Sequence, residues 1–319
     1  MGAGIALGLS ALTFGVYMLT PEPSATEHID QALAFKEQGD LEAAIVELQA
    51  TLQQDPNSID ARWLLSEFYL QQRNGADALA QLKRAQELGV SGREFNDRWI
   101  SALLMDRQYD KALARLAFMA PTANDSSVLI LRGRARLGLG RFDEAREAFL
   151  EALRVTPNNA DARIGLAIAA FGLNNVKEAQ QLVDEGLEQD PQNYLGWMLK
   201  GEIAMSLYNA VAAQAAFEQA LAIVEDDLPA RLSVVQSLLV QGKFEQASAD
   251  LGVLLEENPR NPGLLLLSAQ NELTGNNNID AAEEALTIAL NRSPEDTSCL
   301  LLMGWVMLMK GDLENALEN

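Results

Sequence analysis

One residue recurs along this chain at an almost fixed interval. Alanines close a short phrase at Ala44, Ala78, Ala112, Ala145, Ala179, Ala213, Ala247, Ala282 and Ala316, with spacings of 34, 34, 33, 34, 34, 34, 35 and 34 residues. The phrase is a turn residue, an aromatic or aliphatic residue, two polar residues and the alanine. It reads Gly-Asp-Leu-Glu-Ala-Ala at 39–44, Gly-Arg-Phe-Asp-Glu-Ala at 140–145 and Gly-Lys-Phe-Glu-Gln-Ala at 242–247. Self-similarity at such a period means stacked copies of one supersecondary unit, each unable to bury its apolar face alone.

Within a period the pattern is helical. Four residues after the alanine stands a large apolar residue: Leu48, Leu82, Leu116, Phe149, Val183, Phe217, Leu251 or Leu286. Three further on the residue is mostly small, as at Ala85, Ala152, Ala220 and Ala289. An i, i+4, i+7 stripe is one face of an amphipathic helix. Pro56, Pro157, Pro191, Pro259 and Pro294 fall twelve residues after their alanines and end that helix. A second helix precedes the turn phrase. Leu65, Ser66 and Tyr69 lie in one such helix, Trp197 and Gly201 in another. Each period is therefore a helix–turn–helix pair. Few aromatics, 6%, with abundant Ala and Leu agree with an all-α chain.

These residues resemble the tetratricopeptide repeat family. Its small residue in the first helix corresponds to Ala32, Gly133, Ala167, Gly201 and Gly304, and its tryptophan slot is filled by Trp only at Trp197. The resemblance covers roughly residues 25–319. It implies a right-handed superhelical solenoid of about nine helix pairs whose first helices line a concave groove. The runs 87–90, 101–112, 131–140 and 196–201 are further similar to the tetratricopeptide proteins found with exosortase (PEP-CTERM) sorting and exopolysaccharide loci of Gram-negative bacteria. Those proteins are usually longer lipoproteins. A lipobox is absent here, since the only cysteine is Cys299.

The chain opens with an uncharged, apolar run from Gly2 to Leu19, stopped by Pro21-Glu22-Pro23. Eighteen residues of helix span about 27 Å, enough for a thin bilayer core. Three readings stand: an uncleaved membrane anchor, a cleaved signal segment, and a buried helix. Gly4 and Gly8 have the spacing of a helix-pairing face, or are simply small residues. The expected organisation is an apolar anchor or signal helix over 1–20, a linker over 21–26 and the solenoid over 27–319. The last repeat is truncated, because Ala316 opens a helix and the sequence stops at Asn319. The apolar helix around 300–309 then lacks half its partner and is expected to fray.

The residues for catalysis are missing. With one His, His28, no multi-histidine metal site forms. Gly242-Lys243 lacks the rest of a phosphate loop, and no nucleophile elbow occurs. The acidic clusters at 225–227 and 256–257 lack calcium-loop spacing. No enzyme activity, metal or cofactor is expected. With 24 basic and 45 acidic residues the net charge is −21, which disfavours nucleic acid.

Counting back from each alanine, the resemblance places on the concave face Trp63, Glu67 and Leu70; Asp97 and Ser101; Ile130 and Arg134; Ile164, Ile168 and Phe171; Met198, Glu202 and Met205; and Leu232 and Gln236. The set is aliphatic, Met and aromatic with isolated polar groups, and Arg134 is its one basic member. Capture of a terminal carboxylate by a Lys/Asn clamp is therefore disfavoured, and an extended or helical apolar peptide is the expected occupant. The same residues also serve packing against neighbouring helices. The reading is a membrane-tethered protein–protein scaffold, held in the bacterial inner membrane with the solenoid in the periplasm and working in envelope, export or exopolysaccharide assembly. Alternatives are a polysaccharide-handling or synthase-support protein and a soluble cytoplasmic adaptor.

Overall fold

The computed structural model describes residues 23–119 and 125–311. The expected anchor over 1–20, and the closing helix around Ala316, lie outside the described residues. Seventeen α-helices make up the described chain, and they alternate as first and second members of pairs. The first helices are α1 (Ala25–Glu37), α3 (Ile59–Gln71), α5 (Arg93–Met105), α7 (Ser126–Gly138), α9 (Ala160–Gly172), α11 (Tyr194–Ser206), α13 (Leu228–Val240), α15 (Pro262–Asn271) and α17 (Thr297–Lys310). The second helices are α2 (Leu41–Gln54), α4 (Gly75–Glu87), α6 (Tyr109–Phe118), α8 (Phe142–Val155), α10 (Val176–Gln189), α12 (Ala210–Ile223), α14 (Phe244–Glu257) and α16 (Ile279–Arg292).

The repeating alanine marks a backbone event as well as a packing position. Five residues before each one the chain is left-handed, at Gly39, Arg73, Arg107, Gly140, Asn174, Tyr208, Gly242, Asn277 and Gly311, with φ between 50° and 82°. This residue ends the first helix and turns the chain into the second. Side-chain caps then start many helices. Asp40, Asn74 and Asn209 accept from the backbone N–H three residues on, as do Ser58, Asn159, Asn193 and Asp227 at first helices. The prolines fall two residues beyond helix ends, as Pro157 does after Val155 and Pro191 after Gln189.

The stripe read from the sequence is the core. All eight described alanines of the series, Ala44 through Ala282, are 0% exposed, and the large residues four positions on are at most 3% exposed. Burying each such Leu or Phe contributes about 1.5–3 kcal/mol. Phe149 shows how closely pairs approach. Its ring lies between Gly133 of α7 and Gly165 of α9, where a methyl group would stand 2.6 and 2.4 Å from ring atoms. Phe217 meets Gly201 of α11 in the same way, at 2.3 Å.

The single spacing of 35 has a structural cause. Between Ala247 and Ala282, α15 continues as a π-helical turn over Glu272–Asn276, which takes up the extra residue. Gly275 in that turn still reaches Phe244, the contact that Gly172 makes with Phe142 one residue sooner.

The chain divides into two compact units, 1–123 with 134–139, and 124–133 with 140–319. In the first unit a hydrophobic cluster lies around Leu48, Leu65, Phe68 and Leu82. The second has separate clusters around Ile164 and Val183, around Phe217 and Val235, and around Leu286 and Met303. The last first-helix keeps its helical form through Lys310. α17 is capped by Asp296, buries Cys299, Met303 and Val306, and is tied to α16 by Lys310, which reaches Asp280 at 2.6 Å and also pairs with Glu283. Its other side leaves Leu301 and Trp305 largely exposed.

Candidate peptide-binding surface

Four pairs of successive first helices touch: α3 meets α5, α9 meets α11, α13 meets α15, and α15 meets α17. No two successive second helices make a comparable contact among the described residues. The first helices thus lie on the tighter, inner side of the stack, and a partner lying along that side meets their outward faces.

In the first unit this face is charged. Lys36 of α1 donates to Glu67 of α3 at 2.6 Å, and the Arg98 guanidinium of α5 reaches the other Glu67 oxygen at 3.5 Å. Arg98 also donates to the Trp63 carbonyl at 2.9 Å and stacks on the Trp63 ring, 3.6 Å from its centroid. Burial lowers the pKa of Arg98, opposed by Glu67 and Glu94. The result is a Lys36–Glu67–Arg98 ladder, one rung per first helix, with the tryptophan face covered. Leu70 is half-buried against the core, and the Ser101 hydroxyl donates to the Asp97 carbonyl of its own helix at 2.9 Å. Arg134 is the one basic group that the sequence leads one to expect on this surface. Lys36 and Arg98 correct that, but both face Glu67, so an incoming carboxylate meets an occupied pair.

In the second unit the face is apolar. Met198, Glu202 and Met205 share one side of α11, and Leu232 and Gln236 one side of α13, by their i, i+4, i+7 spacing. Met198, Met205 and Leu232 are half-buried over the Phe217 cluster, while Glu202 and Gln236 are exposed. Desolvation raises the pKa of the Glu202 carboxyl even though solvent reaches it, because much of its surroundings is protein. Ile168 and Phe171 are half-buried beside the Ile164 cluster. Arg134, which falls in the first unit, is half-buried on α7.

Two predicted residues do not present themselves. Ile164 is 2% exposed and Ile130 7%, so both belong to the interior. Ile164 fills space that two glycines leave open: a methyl group on Gly186 or Gly196 would stand 2.5 or 3.0 Å from its Cδ1. Among the described residues no group of acidic, Cys or His side chains has the arrangement of a metal site. No described helix is long and apolar enough to cross a membrane.

Residues 36–91 and 136–203 match the tetratricopeptide repeat family, and residues 183–283 match the cytochrome c-type biogenesis protein H TPR domain. The chain belongs to the tetratricopeptide repeat proteins. It is 23% identical over 261 residues to tetratricopeptide repeat protein 16 of Macaca fascicularis, covering 78% of this chain and 27% of the relative. It is 27% identical over 212 residues to tetratricopeptide repeat protein 34 of Mus musculus, covering 65% of this chain and 36% of the relative. The chain thus spans about a third or less of the length of these curated relatives. Human IFIT1, solved as a dimer with PPP-AAAA, superimposes with a TM-score of 0.51 at 14% identity over 97% of this chain and 74% of that one. At that identity the likeness is one of fold: an all-α solenoid of stacked helix pairs.

Proposed function

We propose that this tetratricopeptide scaffold holds an apolar peptide segment of a partner protein against the first helices of its second unit. The observation that carries this is the Met198–Met205–Leu232 surface, half-exposed on the inner side and edged by Glu202 and Gln236. Methionine adapts to irregular apolar ligands, and the surface has no catalytic constellation beside it. A glycan is less well served, since the inner-face ring of Trp63 is covered by Arg98.

The finer reading is a bacterial inner-membrane protein tethered through residues 2–19, with the solenoid in the periplasm, serving envelope, export or exopolysaccharide and PEP-CTERM assembly. The uncharged run Gly2–Leu19 supports the tether, and the similarity of the runs at 87–90, 101–112, 131–140 and 196–201 supports the pathway.

A photocrosslinker placed at Met205 or Gln236 tests the surface in cells, with Val211 and Val253 on second helices as outer controls. One defined adduct from both inner positions and none from the outer ones is expected. Adducts from the outer positions alone overturn the assignment. Alkaline extraction of the full chain beside a chain starting at Ser24 tests the tether: the full chain stays with the membrane and the shorter one is released, whereas release of both refutes it.

A further inference from the structure

The first unit has a second concavity, lined by none of the residues of the Lys36–Glu67–Arg98 ladder. It lies between the second helices α4 and α6, floored by α5, and encloses about 460 Å³. Its base is apolar, formed by Leu79, Trp99 and Leu103, and its charged lining is Lys83, Lys111 and Arg115. No carboxylate lines it, in a chain where acidic residues outnumber basic ones by 45 to 24.

The cations are available. Lys83 is exposed and forms no ion pair with any described residue. Lys111 donates to the neutral Gln108 at 2.6 Å. Arg115 is fixed in place: its Nε donates to Asn96 at 2.9 Å, and its guanidinium lies 4.1 Å from the Trp99 ring centroid and 5.5 Å from that of Phe95. The Phe95 and Trp99 rings meet edge to face at 5.4 Å, which steadies this platform. Both Nη groups of Arg115 are left without an acceptor among the described residues. Burial alone lowers the Arg115 pKa, with no carboxylate acting against it, unlike Arg98. A half-buried guanidinium that is pre-positioned and lacks a counter-charge is suited to bidentate binding of a carboxylate.

We propose that this hollow is a second docking site, taking an acidic segment of a partner protein that carries one bulky apolar side chain. The apolar group rests on Leu79, Trp99 and Leu103, and flanking carboxylates meet Lys83, Lys111 and Arg115. The site is separate from the apolar inner surface of the second unit, so a single scaffold holds two dissimilar segments at once.

The test is fluorescence anisotropy with the full chain and a labelled pentapeptide that has two acidic residues on each side of a phenylalanine. Saturable binding is expected. It weakens by at least about tenfold with Lys83→Glu/Lys111→Glu, two exposed positions whose change leaves the core intact. It weakens similarly when the peptide's phenylalanine becomes alanine or its carboxylates become amides. Met198→Ser/Met205→Ser leaves it unchanged. Hydrogen-exchange protection on binding falls within 76–83 and 108–115. No binding at millimolar peptide, equal binding by the charge-reversed protein, or equal binding of a basic peptide overturns the proposal.

Discussion

Gly165→Ala and Gly252→Ala make the same chemical change at helix-interior positions and should move stability in opposite directions. A methyl group on Gly165 would lie 2.4 Å from two atoms of the Phe149 ring, more than 1 Å inside ordinary contact. The ring has no retreat, because Gly133 holds its other side with a corresponding distance of 2.6 Å. Overpacking of this kind costs about 1–3 kcal/mol. Replacing a helical glycine with alanine returns about 0.5–1 kcal/mol. The net loss at Gly165 is therefore about 0–2.5 kcal/mol, centred near 1 kcal/mol. At Gly252, on the exposed side of α14, nothing lies within 4 Å of the added methyl, so only the gain of about 0.5–1 kcal/mol remains. Urea unfolding followed by circular dichroism reads both, and hydrogen exchange localises the loss to α7, α8 and α9. Phe149→Leu combined with Gly165→Ala should recover at least about 1 kcal/mol relative to additivity, since the smaller side chain vacates the contested space. If Gly165→Ala stabilises the protein as Gly252→Ala does, the ring is not clamped between two backbones and the packing argument fails.

Two further outcomes follow from the backbone and from the one thiol. Tyr208 is 93% exposed and left-handed at φ 58°, so its side chain gives up little when removed; Tyr208→Gly should stabilise by about 1 kcal/mol and raise the Tm, while Tyr208→Ala should not. Cys299 is 0% exposed, and burial, with Asp296 adding to it, pushes its thiol up to about 11. At pH 8 roughly one such thiol in a thousand is ionised, so alkylation should be slow in the folded protein and fast after unfolding. Because the folded value lies above the unfolded one, the thiol's contribution to stability is intact below pH 9 and declines as pH rises toward 11; prompt labelling at pH 8 in the absence of denaturant would contradict the burial.

The alanine series made the helix pairs legible in advance, and a left-handed residue stands five positions before each of its members. That second regularity is hard to see from side chains, since Arg73, Arg107 and Tyr208 stand where four other repeats have glycine. The inner face was less legible. Counting at constant phase from each alanine assumes that equivalent positions are neighbours, yet Lys36, Glu67 and Arg98 meet at intervals of 31 residues. The interval is one period less three residues, or one helical turn back on the next first helix, so the contacts run diagonally and constant-phase counting misses two of the three. Ile164 was misplaced for a different reason. Whether an isoleucine on that face turns outward or inward depends on Gly186 and Gly196, one on the second helix of its own pair and one on the next first helix. The Trp99–Arg115 hollow left no trace in the period at all, because it depends on which side chains three consecutive helices put beside one another.

The π-helical turn at Glu272–Asn276 bears on how such arrays change over generations. An added residue there is taken up within one helix end, and Asn277 restores the left-handed exit before the next helix begins. Ala282 and Leu286 then arrive fully buried, as their counterparts do in periods of ordinary length. A single-codon insertion at this kind of junction is thus a local event whose effect ends before the next interface. The length of a period can drift while the inheritance of its packing stays intact.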